Sequence, residues 1–181
     1  MRLFLAIDLP DKAKTALGNQ IEPIQKEYPV FNWVNPRNYH LTVHFFGVTS
    51  KAPEIIEKAR NILYDQEPFH LYAMNLDFFL NHNITIYAGF RRERSLEELI
   101  SKTRGAFEQE FQETKTFIPH ITLARCKIPS KQQYFHLMKK IQRLDVNIEF
   151  PVREVVLFES IISEKKPVYR VIKKIFLADR I

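Results

Sequence analysis

Two short segments constrain this chain most tightly: His40-Leu41-Thr42-Val43 and His120-Ile121-Thr122-Leu123. Each reads His-apolar-Thr-apolar. Side chains alternate across a β-strand, so an extended segment of this kind presents its imidazole and hydroxyl on one face and its two apolar residues on the other. With 6 His and 8 Thr in 181 residues, shuffling yields only about 0.3 His-x-Thr matches, so a single match is weak and a pair is unexpected. A fold that honours both segments has to set two strands in corresponding places of two similar halves. The plain alternative is a pair of polar stripes on a solvated sheet face.

The surrounding pattern supplies such halves. Residues 2–9 read as a buried strand, and Asp11 is placed to cap a helix carrying Ala13, Leu17, Ile21 and Ile24. The first segment lies in a strand over 38–47. After it come a helix beyond Pro53, with Ile55, Ile56, Ala59, Ile62 and Leu63 on one face, and a hairpin with arms 69–80 and 83–90 around Asn81-His82-Asn83. The second half restarts at Ser95-Leu96-Glu97-Glu98, a capping-box pattern opening a helix that buries Leu96, Leu99, Ile100, Thr103, Phe107 and Phe111. The second segment lies in a strand over 118–127. Ser130 with Gln133 boxes a helix carrying Leu137, Met138, Ile141 and Leu144, and strands over 147–159 and 168–178 close the chain. The fold class expected is α+β, a mixed alternation with antiparallel or mixed sheets. No Gly-rich phosphate loop follows a strand, which disfavours a nucleotide-binding parallel fold.

At 181 residues and 45% apolar content, the chain has enough material for one domain or for two small lobes sharing a core. A net charge of +6 favours an anionic partner, although cations scattered for solubility give the same sum. Cys126 is the only cysteine, so no intramolecular disulfide forms and a reducing cytoplasm is the expected compartment. The opening run Met1–Pro10 is too short for a signal peptide and is interrupted by Asp8. No apolar run approaches the roughly 20 residues that span a bilayer. No membrane association, no metal and no cofactor are expected, and the default expectation is a monomer.

The paired segments suit one kind of chemistry. Opening a cyclic phosphodiester requires a proton taken from the attacking water and another given to the departing ribose oxygen. Two imidazoles with ordinary pKa values near 6.5 can divide these tasks at neutral pH, each contributing roughly 10²–10⁴-fold. The hydroxyls of Thr42 and Thr122 are suited to bond the non-bridging phosphate oxygens. Which histidine does which task is not decided by this reasoning.

In their wider context the segments resemble the 2H phosphoesterase superfamily, specifically the RNA 2′,3′-cyclic phosphodiesterase (2′-5′ RNA ligase-like) group. The similarity runs through Arg2-Leu3-Phe4-Leu5-Ala6-Ile7-Asp8-Leu9-Pro10, Trp33, and Asn38-Tyr39-His40-Leu41-Thr42-Val43-His44-Phe45-Phe46-Gly47. It continues in Phe117-Ile118-Pro119-His120-Ile121-Thr122-Leu123-Ala124-Arg125 and in Leu157-Phe158-Glu159-Ser160 with Tyr169. The resemblance implies a single domain over 1–181 made of two pseudo-symmetric, interleaved lobes, each giving one segment to a shared cleft, with helices outside. It also implies hydrolysis of an RNA 2′,3′-cyclic phosphate end to a 2′-phosphate, with His40 as proton donor and His120 as proton acceptor. Weak reverse joining to a 5′-hydroxyl as a 2′-5′ linkage is implied as a secondary property.

Arg125 resembles the group's phosphate-contacting arginine, yet it lies three residues beyond Thr122, where a regular strand aims it at the opposite face. A phosphate role for it requires a bulge, a twist or a strand end. His44 shares parity with His40 and is read as structural or groove-lining. A metal pair is excluded there, because four residues along a strand separate them by roughly 13 Å. His70, His82 and His136 have no motif context. Among Trp33, Phe45, Phe46 and Phe117, core packing is the default, and one or two are candidates to stack on a terminal base. The competing functions are another small cyclic phosphate as substrate, a tRNA-splicing intermediate, or a non-enzymatic RNA-binding module.

Overall fold

The computed structural model describes residues 1–80, 82–107, 117–127, 130–163 and 166–178. Strand β1 (Arg2–Asp8) leads into helix α1 (Asp11–Glu27). The short strand β2 (Asn32–Trp33) and a 3₁₀ turn (Pro36–Asn38) precede β3 (His40–Val48). Helix α2 (Ala52–Leu63), the hairpin β4 (Phe69–Leu80) and β5 (Asn83–Phe90), and helix α3 (Arg94–Phe107) complete the first part. Then come β6 (His120–Lys127), helix α4 (Lys131–Ile141), β7 (Asp145–Val152), β8 (Glu154–Ser163) and β9 (Lys166–Phe176).

All described strands join one antiparallel sheet in the order β7-β4-β5-β6-β3-β1-β8-β9, with β2 beside β6. Strands β7 and β8 are linked through Arg153 alone, yet they lie towards opposite ends of that order. One residue spans less than about 4 Å, so the sheet has to curl until its ends meet. Helices occupy one face. Their apolar stripes (Leu17, Ile21 and Ile24; Ile55, Ala59 and Leu63; Leu96, Leu99 and Ile100; Leu137 and Ile141) share one core with Leu3, Leu5, Ile7, Leu41, Ile121, Ile84 and Ile86 of the sheet. Each fully buried Leu or Ile contributes about 1.5–3 kcal/mol. Among the described residues the opposite face carries no helix; it holds a separate small cluster of Phe4, Ala6, Val156 and Phe158 with Tyr169. That open face is where imidazoles are tolerated.

Several boundaries differ from the sequence expectation. The capping box at Ser130 and Gln133 forms. Asp11 does not cap: it is the first residue of α1, after Pro10. At α3 the Glu93 carboxylate accepts from the Ser95 N–H, so the cap lies two residues upstream of the expected serine. Phe111 lies outside the described residues. The strand expected over 147–159 is two strands meeting at Arg153. Residues of the main core pass there from even places (Val146, Ile148, Phe150, Val152) to odd ones (Val155, Leu157), while Val156 and Phe158 join the cluster on the other face.

Candidate active site

The two halves meet where Leu41 pairs with Ile121 across β3 and β6. Antiparallel pairing therefore sets His40 opposite Thr122 and Thr42 opposite His120, all four on the open face, while Leu41 and Ile121 are fully buried beneath. The two imidazoles are held alike. His40 Nδ1 donates to the Asn38 carbonyl at 2.7 Å, and His120 Nδ1 donates to the Ile118 carbonyl at 2.8 Å. A carbonyl only accepts, so both neutral rings carry their proton on Nδ1 and offer a bare Nε2 for proton transfer. The Thr42 hydroxyl lies 3.1 Å from His40 Nε2.

The parity problem at Arg125 is resolved by a β-bulge. Tyr87 pairs with Thr122, but Ile86 pairs with Ala124, leaving Leu123 as an extra residue on β6. Leu123 and Ala124 both turn to the core, and Arg125, paired with Thr85, comes out on the open face. Strand β3 repeats the device: Ala6 pairs with Thr42 and Leu5 with His44, so Val43 is extra. Each strand thus bulges at the residue after its threonine, and the residue five places after each histidine returns to the open face. In one lobe that residue is Arg125, in the other Phe45, which is 70% exposed and lies 5.9 Å from Phe4, centroid to centroid.

The same bulge decides between the two readings of His44, structural and groove-lining, in favour of the first. Its strand partner is the core residue Leu5, and its ring packs on Phe46 and Phe107 at 4.8 and 5.8 Å, so it faces the helices and not the groove. Phe46 goes with it. Trp33 donates its indole N–H to the Tyr28 carbonyl and packs on the core, and Phe117 lies under the Arg104 guanidinium. Of the four aromatic candidates, only Phe45 is both open-face and exposed. His70 pairs with Glu149 on the outer strands, and His82 and His136 are exposed.

Aromatic walls flank both histidines. Phe4 and Tyr169 lie 5.1 Å from His40, the tyrosine edge-on. Phe79 and Tyr87 meet His120 at 4.9 and 5.5 Å and stack on each other at 4.2 Å. Phe79 and Tyr87 escaped the sequence reading. The register of β6 on β5 and of β5 on β4 places them there. Burial among these rings pushes His40 down to about 4, with the charges of Lys14, His120 and Arg125 adding to it and the Asn38 carbonyl opposing. His120 is lowered too, by burial first and by Arg125, against the Ile118 carbonyl. Burial raises the Tyr169 hydroxyl, and Arg125 draws it back. Arg125 is therefore close enough for its charge to reach both imidazoles and Tyr169. Among the described residues no group of three or more His, Cys, Asp or Glu could hold a metal ion. Two ring nitrogens, two hydroxyls and one guanidinium on one face can exchange protons with, and neutralise, a bound phosphodiester.

Residues 13–161 match the family model described as the 2′-5′ RNA ligase superfamily. Two curated relatives bear the name RNA 2′,3′-cyclic phosphodiesterase. One, from Methanocaldococcus jannaschii, is 26% identical over 96% of this chain and 99% of its own length. The other, from Thermus thermophilus, is 27% identical over 98% and 90%. Among solved structures, a Thermus thermophilus protein superposes with a TM-score of 0.74 at 26% identity over 99% of this chain and all of its own. Escherichia coli LigT complexed with 3′-AMP reaches 0.75 at 24% identity over 98% of each chain.

Proposed function

This chain belongs to the 2′-5′ RNA ligase superfamily, and from that premise we propose that it is a phosphodiesterase opening the 2′,3′-cyclic phosphate at an RNA end by two-histidine acid and base catalysis. The observation that carries the reading is the single cross-strand pair, Leu41 with Ile121, which sets two Nε2 atoms and two hydroxyls on one face. His120 takes a proton from water, and the water oxygen bonds to phosphorus. The bond from phosphorus to the 3′ oxygen breaks, and His40 supplies the proton that this oxygen needs. The products are a 2′-phosphate and a 3′-hydroxyl, and exchange with solvent resets both rings. Thr42, Thr122 and Arg125 bind the non-bridging oxygens, where charge-assisted bonds are strongest. A 5′-hydroxyl in place of water runs the joining reaction to a 2′-5′ linkage.

No described helix is long and apolar enough to cross a membrane. The single continuous sheet supports one domain of two lobes over 1–181, and a monomer in the cytoplasm is the proposed state. The deciding assay is incubation of purified protein with an oligonucleotide ending in a 2′,3′-cyclic phosphate, with the product identified against 2′- and 3′-phosphate standards. Accumulation of the 2′-phosphate is expected. Binding without turnover would replace the enzyme reading with an RNA-binding module.

Two further results are expected. Phe45 is read as the stacking platform for the terminal base, a contact worth about 1–3 kcal/mol, so Phe45→Ala should raise KM about 5- to 150-fold while lowering kcat less. An unchanged KM for a cyclic-ended dinucleotide would remove Phe45 from the site. Turnover should also survive prolonged chelation and dialysis, because the imidazoles supply both proton transfers themselves. Loss of activity in EDTA with recovery on adding a divalent ion would contradict this.

A further inference from the structure

Lys14 is nine-tenths buried, on a helix face otherwise made of Ala13, Leu17, Ile21 and Ile24. A lysine is seldom buried this deeply without a partner. Its ammonium lies 2.7 Å from the Asp8 carboxylate and donates to the Arg37 carbonyl at 3.0 Å. Both contacts lead to His40. Asp8 is the cross-strand partner of His40 and shares its face. Arg37 adjoins Asn38, whose carbonyl holds the His40 ring. The corresponding place beside His120 is Gly89, which has no side chain to bring charge. The two histidines, alike in their own segments, thus differ in what stands next to them.

We propose that Lys14 and Asp8 form a positioning pair for His40: the ammonium ties the Pro36–Asn38 turn to β1 and so fixes the carbonyl that orients the imidazole, while the carboxylate offsets the ammonium's charge at the ring. This rests on the proton-donor role given to His40 above. Charged and titratable groups facing His40 are Asp8 on β1, Lys14 on α1, His120 and Arg125 on β6, and Tyr169 on β9. Lys174, paired with Glu154, reaches Asp8 from β9.

Removing one member of the pair leaves the other's charge unbalanced, so the two deletions act with opposite sign. The test follows the His40 ring by NMR in protein labelled at histidine Cε1, without substrate. Lys14→Met, which keeps the length of the buried stem, should move the His40 titration up by about one pH unit; burial raises the Asp8 carboxyl into the range where His40 titrates, so Asp8→Asn should move it down by less. The double variant should lie between the two single variants, with the His120 titration little changed throughout. Shifts of the same sign, or a His40 titration unmoved by either change, would overturn the pair as a positioning device and leave it a structural contact. If Lys14→Met fails to fold, Lys14→Gln, which keeps a donor for the Arg37 carbonyl but no charge, takes its place with the same upward shift expected. The readout is titration in the free protein, so the two readings fail separately. An unmoved His40 in an enzyme that still turns over sinks the pair alone, and a shifted His40 in a protein without turnover sinks the reaction alone.

Discussion

His40→Ala and His120→Ala are each expected to lower turnover of a 2′,3′-cyclic-ended oligonucleotide by about 10²–10⁴-fold, or roughly 2.7–5.4 kcal/mol of transition-state stabilisation. Both rings lie on the open face with Nδ1 bonded only to a backbone carbonyl two residues earlier, so their removal should leave the far-ultraviolet dichroism unchanged. The two act on one transition state, and the double variant should therefore lose little more than the worse single one. Thr42→Ala and Thr122→Ala should cost less, because they remove one hydrogen bond each and no proton transfer. Near-native turnover in either histidine variant, with the fold intact, would end the two-histidine mechanism.

The second large effect is on pH. Reference values near 6.5 for both rings place a bell-shaped optimum near neutrality, but the structure shifts that expectation. Burial holds His40 at about 4 and lowers His120, so the free protein at pH 7 has both rings neutral and lacks its acid. A cyclic phosphodiester is monoanionic across this range, and bound beside His40 it favours the imidazolium. The profile of kcat/KM reports the free protein, and that of kcat the complex. The optimum for kcat/KM should therefore lie below pH 6.5, at least about one unit acidic of the optimum for kcat. On its basic side kcat/KM should fall about tenfold per unit, as the population carrying the acid's proton declines. The limbs belong to the coupled pair and not to either ring. Coincident optima at or above pH 7, measured without metal and with chemistry rate-limiting, would show that burial does not govern these rings.

Strand parity was enough to read the faces of His40, Thr42, His120 and Thr122, because alternation is local and the buried Leu41 and Ile121 pin it. The hairpin arms at 69–80 and 83–90 were legible for the same reason and match β4 and β5. Parity misplaced His44 and put Arg125 in doubt because a bulge is a property of two strands: Val43 and Leu123 become extra residues only against β1 and β5, 36 or more positions away in the chain. One sign of it was present in Leu123-Ala124, two consecutive apolar residues where alternation calls for one. The walls of Phe79 and Tyr87 and the pairing of Lys14 with Asp8 depend on which strands and helices become neighbours, and no local pattern carries that.

The unequal residues five places beyond each histidine have a consequence for product identity. A 2′,3′-cyclic phosphate has two nearly equivalent ester bonds, and a cradle with matching halves would accept it in either of two orientations and release a mixture of isomers. On the stacking proposed for Phe45, a ring in one lobe and a guanidinium in the other would remove that degeneracy by presenting one ester oxygen to His40. Regiochemistry in this chain would then be decided outside the proton-transfer apparatus, by a side chain that a one-residue bulge delivers to the same face.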